Sequence, residues 1–202
     1  MVEVLSLLGR FAGHLVTGWG LAGVLLAMTL ESVGIPIPSE VVMPLAGFGS
    51  AGPGGLAVVV AAGTVGNLLG SWLAYGIGAA IGVEWRGSRY LDRRHWERAH
   101  RWFARYGDRT VLLGRVLPLV RTYISFPAGA LSMPAGRFTL YTLLGSAVWS
   151  AALAVAGYEL GSNWAAVGPW LARYALVSLG LVVVGVVAWW WRSRRAAGRS
   201  AG

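Results

Sequence analysis

Residues 31–44 read Glu31-Ser32-Val33-Gly34-Ile35-Pro36-Ile37-Pro38-Ser39-Glu40-Val41-Val42-Met43-Pro44, an apolar run broken by three prolines and carrying two carboxylates. Thr110 to Met133 repeats the theme with opposite charge: Arg115 and Arg121 lie among apolar residues, with prolines at 118 and 127. Neither stretch reads as a plain spanning helix, because an internal proline removes a backbone hydrogen bond and clashes with the preceding turn. Within a membrane such broken backbone survives only where protein or a watery cavity surrounds it. Val33 to Gly52 and Thr110 to Met133 are therefore expected to be re-entrant hairpins, shaped by Pro36, Pro38 and Pro44 in the first and by Pro118, Pro127 and Gly129 in the second.

The rest of the chain supplies the membrane. Of 202 residues, 56% are hydrophobic and 12% charged, with a mean hydropathy of +0.61. A soluble domain carries roughly 25% charged residues. Four segments are long and apolar enough to span, Phe11 to Leu30, Leu56 to Val83, Phe138 to Tyr158 and Tyr174 to Trp191, against the need for about 20 residues. There is no cysteine, so neither a disulfide nor a thiolate metal site is available. The net charge of +9 comes from arginines that flank apolar spans. It marks topology rather than a nucleic-acid surface. No removable signal peptide is expected, since the first apolar stretch runs on into Glu31.

Arginine placement tests the hairpins against six full spans. If both broken segments return to the side they left, Arg10, the eight arginines from Arg86 to Arg109, Arg137 and the four tail arginines share one side, and Arg173 stands alone on the other. Positive charge stays cytoplasmic, so both termini are expected in the cytoplasm. The expected fold is all-α and polytopic: four spans and two oppositely oriented re-entrant hairpins in an inverted repeat. Its parts are a first half over 10–83 with hairpin 33–52, a connector over 84–109, a second half over 110–191 with hairpin 110–133, and a basic tail over 192–202. The connector has apolar residues at Trp96, Ala99, Trp102, Phe103 and Tyr106 with arginines between, the pattern of an amphipathic helix lying at an interface. Pro44-Leu45-Ala46-Gly47 and Pro127-Ala128-Gly129 echo one another. Inverted repeats with broken helices near the midplane are common in secondary transporters.

Glu31, Glu40, Arg115 and Arg121 are left at hydrocarbon depth, where each charge costs about 2.5–3.5 kcal/mol. Such charges either pair to lock the hairpins or mark a pathway. Arginine grips a phosphate through two parallel hydrogen bonds, so Arg115 and Arg121 suit an anionic headgroup. A glutamate can take up and release a proton, so Glu31 and Glu40 suit gating or proton coupling. His95 and His100 do not share a helical face, and no metal site or cofactor is expected. Gly63, Gly66, Gly70, Gly78 and Gly82 read as a close-packing face of one span.

These residues resemble the DedA family of bacterial membrane proteins, also called the SNARE-associated or VTT-domain family. The first signature is Glu31 followed by Gly34-Ile35-Pro36-Ile37-Pro38-Ser39-Glu40. The second is Gly114-Arg115-Val116-Leu117-Pro118-Leu119-Val120-Arg121, then Pro127-Ala128-Gly129, Met133, Phe138, Gly145 and Trp149. Gly63, Gly66, Tyr75, Gly76 and Gly78 also follow the family pattern, whereas Asn67 stands where many members have an acidic residue. The resemblance implies lipid transport across the bacterial cytoplasmic membrane, with undecaprenyl phosphate as the lipid, dependence on the proton-motive force, and function in Glu31, Glu40, Arg115 and Arg121. The expected partners are membrane lipids, a polyprenyl phosphate among them, and protons; no nucleic acid is expected, and a homo-oligomer is compatible with the sequence. Proton-coupled transport of a small anion, a non-transporting scaffold and an intramembrane lipid phosphatase are the competing readings. An enzyme is not expected, because neither hairpin holds a histidine and the core acids number two.

Overall fold

The computed structural model describes residues 2–35, 37–86, 93–116 and 120–160, which form helices and turns with no strand among them. In chain order the helices are α1 Val2–Val33, α2 Ser39–Phe48, α3 Gly52–Arg86, α4 Arg93–Val116, α5 Val120–Tyr123, α6 Ser125–Ala130 and α7 Ala135–Leu160. Three segments are long and apolar enough to cross a membrane: Gly13–Val33, Gly52–Gly82 and Ala135–Leu160. They contain most of the first three expected spans. The fourth expected span over 174–191, the tail over 192–202, Pro36 and Pro118 lie outside the described residues.

Helix α1 turns a corner. Gly20 has φ 54 and ψ −128, a left-handed φ that glycine takes without a steric cost. A Cβ on Gly23 would stand 1.9 Å from the carbonyl oxygen of Leu15. Residues 21–33 are thus a separate rod of about 20 Å at 1.5 Å per residue. The rod ends at Gly34, whose φ is 114. The Gly34 N–H bonds the Glu31 carbonyl at 3.0 Å and the Ile35 N–H bonds that of Leu30 at 3.1 Å, a Schellman cap that satisfies the last carbonyls. Pro38, in extended backbone, then opens α2.

Helix directions follow from the glycines. A Cβ on Gly66 would meet the Leu25 carbonyl oxygen at 2.5 Å, and one on Gly70 would meet that of Thr29 at 2.1 Å. The two registers rise together, so the end of α1 runs parallel to α3 and the chain must return between them. It returns through α2. The first hairpin accordingly comprises residues 21–48 with its apex at 34–38. The expected hairpin over 33–52 covers this apex and the returning arm, and residues 21–33 belong to the expected first span. An apolar helical arm looks like part of a span from sequence, and Gly20 is one glycine among 30. Pro44 sits inside α2 and not at a turn.

The expected start of the second hairpin, Thr110, lies inside a helix. Helix α4 is continuous past residue 109, so the expected connector and the expected hairpin share one helix. Phe103, Gly107, Val111 and Arg115 are all buried and recur every four residues, which puts Arg115 on the inward stripe of α4. Tyr106, expected on the apolar face, is exposed. Helices α5 and α6 form the returning arm, linked by Ile124 N–H to Val120 carbonyl at 2.8 Å and Ala128 N–H to Ile124 carbonyl at 3.2 Å. Pro127 has no N–H for the carbonyl of Tyr123, and the helix is interrupted there.

The halves then interlock. A Cβ on Gly47 of α2 would lie 2.1 Å from the carbonyl oxygen of Ala154 in α7, and one on Gly157 would lie 2.0 Å from that of Pro44. The other crossing matches it: Gly129 of α6 meets the Tyr75 carbonyl of α3 at 2.0 Å, and Gly78 meets that of Phe126 at 2.1 Å. Gly145 meets Leu112 and Arg115 as Gly66 meets Leu25 and Met28. Each returning arm therefore packs on the long helix of the opposite half, in equivalent registers.

Candidate functional site

The two apices bring three of the four expected charges into one buried cluster. Arg115 is 3% exposed, Arg121 5% and Glu31 7%. Arg121 Nη2 donates to Glu31 Oε1 and to Ser39 Oγ. Its guanidinium carbon stands 4.8 Å from the ring centre of Trp149, within the range of a cation–π contact. The indole Nε1 of Trp149 donates to the same Ser39 oxygen at 3.4 Å. Both of these hydrogen bonds of Arg121 leave from the same nitrogen, Nη2. Glu31 Oε2 is buried and unpartnered.

Arg115 has a different setting. Nη1 donates to Ser71 Oγ at 2.8 Å and to the carbonyl oxygen of Arg121 at 3.1 Å. Nη2 donates to Ser125 Oγ at 2.8 Å and Thr142 Oγ1 at 3.1 Å. Its guanidinium carbon lies 5.7 Å from the ring centre of Phe138, and Nε has no partner. No carboxylate pairs with it among the described residues. Burying an ion costs several kcal/mol unless its donors are satisfied; here hydroxyls on three helices and one carbonyl serve that need.

Glu40 lies half-buried at the start of α2 and accepts from Ser39 Oγ at 3.3 Å. It forms no ion pair among the described residues, so the quartet contains one ion pair and not two. Among the hairpin-shaping residues, Pro38, Pro127 and Gly129 stand at the starts, breaks and crossings described above. Asn67 of α3 is fully buried: Ser32 Oγ donates to its Oδ1 at 2.6 Å, and its Nδ2 is unpartnered. An apolar cavity of about 550 Å³ lies between α1, α2 and α3 near Gly20, bordered by none of the four charges.

Sequence reasoning singled out the charges and passed over their hydroxyl partners Ser39, Ser71, Ser125 and Thr142. A signal existed. Thr64, Asn67 and Ser71 share one face of α3, and Thr142, Ser146 and Ser150 share one face of α7, all buried and at helical spacing.

A family model for the VTT domain matches residues 37–159. The chain belongs to the VTT-domain family. The likeness to DedA proteins drawn from the two signatures therefore holds. A Lactococcus lactis protein named alkaline phosphatase-like is 31% identical over 180 residues, 84% of this chain and 83% of its own length. Undecaprenyl phosphate transporter A of Bacillus subtilis is 31% identical over 186 residues, 90% of this chain and 92% of its own. The protein of that name in Staphylococcus aureus is 26% identical over 182 residues, 85% and 89% of the two chains. No solved structure matches the chain. With its apolar membrane-length helices, this VTT-domain chain is a multi-pass membrane protein.

Proposed function

We propose that this VTT-domain protein translocates an anionic lipid of the polyprenyl-phosphate class across a bacterial cytoplasmic membrane. Its two hairpins are re-entrant: in the first, rods of about 20 Å and 15 Å fall short of a hydrocarbon core of about 30 Å, and in the second the returning arm over 120–130 is about 16 Å long. They enter from opposite faces, with the arginine-rich connector on the cytoplasmic side. The headgroup meets the cluster where the apices touch, while its tail stays in the bilayer.

The observation that carries this reading is the unequal use of Arg121. A guanidinium offers two two-pronged edges, Nε with Nη2 and Nη1 with Nη2. Both need Nη2, which Glu31 and Ser39 hold. A phosphate that grips Arg121 with two bonds must therefore displace one of them. Displacing Glu31 would leave a buried unpaired carboxylate, so the exchange favours protonation of Glu31 as the headgroup arrives. Anion binding and proton uptake are linked in this way, with Glu40 placed beside Ser39 to gate the exchange. The names of the Bacillus and Staphylococcus relatives support undecaprenyl phosphate as the lipid. The name of the Lactococcus relative favours a second reading, hydrolysis of a phosphate ester.

Purified protein in liposomes, supplied with labelled undecaprenyl phosphate with and without a pH gradient, tests both. Transfer between leaflets that falls to background in folded Arg121→Ala supports translocation. Wild-type transfer by that variant sinks it, and release of inorganic phosphate by the wild type supports the enzyme instead.

A further inference from the structure

The cluster contains two arginines, and the repeat separates their tasks. We propose that Arg115 is a positioning residue: it does not touch the headgroup but fixes the backbone of Arg121 and ties α3, α4, α6 and α7 together. This rests on the headgroup reading above.

All four terminal N–H groups of Arg115 are used. Both hydrogens of Nη2, the nitrogen that every two-pronged grip needs, go to Ser125 and Thr142. An anion would have to pull two helices' hydroxyls away before it could bind. One hydrogen of Nη1 is bonded to the carbonyl oxygen of Arg121 itself, so Arg115 sets the height at which Arg121 leaves its helix.

The first half supplies an independent argument. The spacing that carries Gly66 onto Gly145 carries Gly63 onto Thr142 and Ser71 onto Ser150. The spacing that carries Leu25 onto Leu112 carries Met28 onto Arg115, and the one that carries Gly47 onto Gly129 carries Met43 onto Ser125. The vertex held by Arg115, Ser125 and Thr142 is thus filled in the first half by Met28, Met43 and Gly63. Both methionines are fully buried, and a Cβ on Gly63 would stand 2.6 Å from the Met43 sulfur and 3.2 Å from Ser150 Oγ. That vertex is a packing knot with no ligand-binding group. Ser150 is left without a partner because Met28, unlike Arg115, has no N–H to offer its hydroxyl. Arg115 does by hydrogen bonding what Met28 does by packing.

The test compares Ser125→Ala, Thr142→Val and Arg121→Lys in purified, folded protein, using farnesyl phosphate for binding and undecaprenyl phosphate for transfer. For the first two the expected result is a severalfold loss of transfer at saturation with Kd within about threefold of wild type. For Arg121→Lys it is a Kd raised by about tenfold or more, as a two-pronged grip is lost. The triple variant Arg115→Met, Ser125→Met, Thr142→Gly installs the first-half vertex; it should fold and bind more tightly than Arg121→Lys. The proposal is overturned if a folded Ser125, Thr142 or triple variant loses affinity as far as Arg121→Lys. A wild type that binds no phosphate lipid fails the headgroup reading alone. In that event a double-mutant cycle of Ser125→Ala with Arg121→Gln on thermal unfolding decides: non-additive shifts support positioning, and additive shifts overturn it.

Discussion

Under Gly66, the first half of the chain closes its hairpin with Met28, Met43 and Gly63; under Gly145, the second half closes the same crossing with Arg115, Ser125 and Thr142. The backbone path is repeated and the chemistry is not. The crossings depend on glycines that let a carbonyl approach to about 2 Å from where a Cβ would stand, and these occupy equivalent places in both halves. The side chains filling the vertex are free to differ so long as they pack or find partners. Ser39 and Arg121 are equivalents across the repeat and touch one another, so the apices meet close to the pseudo-twofold axis. The charges are distributed unevenly about that axis: Glu31 and Glu40 come from the first hairpin, Arg115 and Arg121 from the second.

The comparison is broken most decisively by sidedness. Cysteines at exposed Ala51 and Ala135, at the bases of the two hairpins, should be labelled by an impermeant maleimide from opposite sides of the membrane, Ala51→Cys from outside and Ala135→Cys from the cytoplasm. Labelling of both from one side would end the inverted reading. Next come the crossings. Gly47→Ala and Gly129→Ala each drive a methyl against a backbone carbonyl, at 2.1 and 2.0 Å, and each should cost at least about 3 kcal/mol, at the upper end of overpacking penalties. Thermal unfolding in detergent checks this; one variant tolerated and the other not would show that the crossings are unequal. The smallest effect sharpens the contrast at the vertex. Ser71→Ala removes a hydroxyl that accepts from a charged arginine and should cost about 1.5–3 kcal/mol. Ser150→Ala, its counterpart, removes a buried unpartnered hydroxyl and should leave stability unchanged or raised. Equal losses at both positions would mean that Ser150 has a partner of its own in solution.

Much of the site was legible because charge in an apolar segment is conspicuous. Glu31, Glu40, Arg115 and Arg121 stood out on cost alone, and three of them meet. Their serine and threonine partners were harder to see, since hydroxyls occur throughout membrane helices and gain meaning only when a guanidinium faces them. The breaks that open α2 and divide α5 from α6 were legible from Pro38 and Pro127, while the lengths of the flanking helices were not. Residues 21–33 are as apolar as any span, and residues 110–116 continue a basic helix without a break.

Composition and pattern by themselves determined a helical membrane chain with two broken, oppositely charged segments, because hydrocarbon excludes charge and proline excludes regular helix. Only the tertiary structure decided that each returning arm packs on the long helix of the other half, that Arg121 pairs with Glu31, and that Arg115 is held by three hydroxyls and a backbone carbonyl. Those outcomes depend on which backbones can approach closely, and that is fixed by glycines far apart in the chain and brought together by the fold.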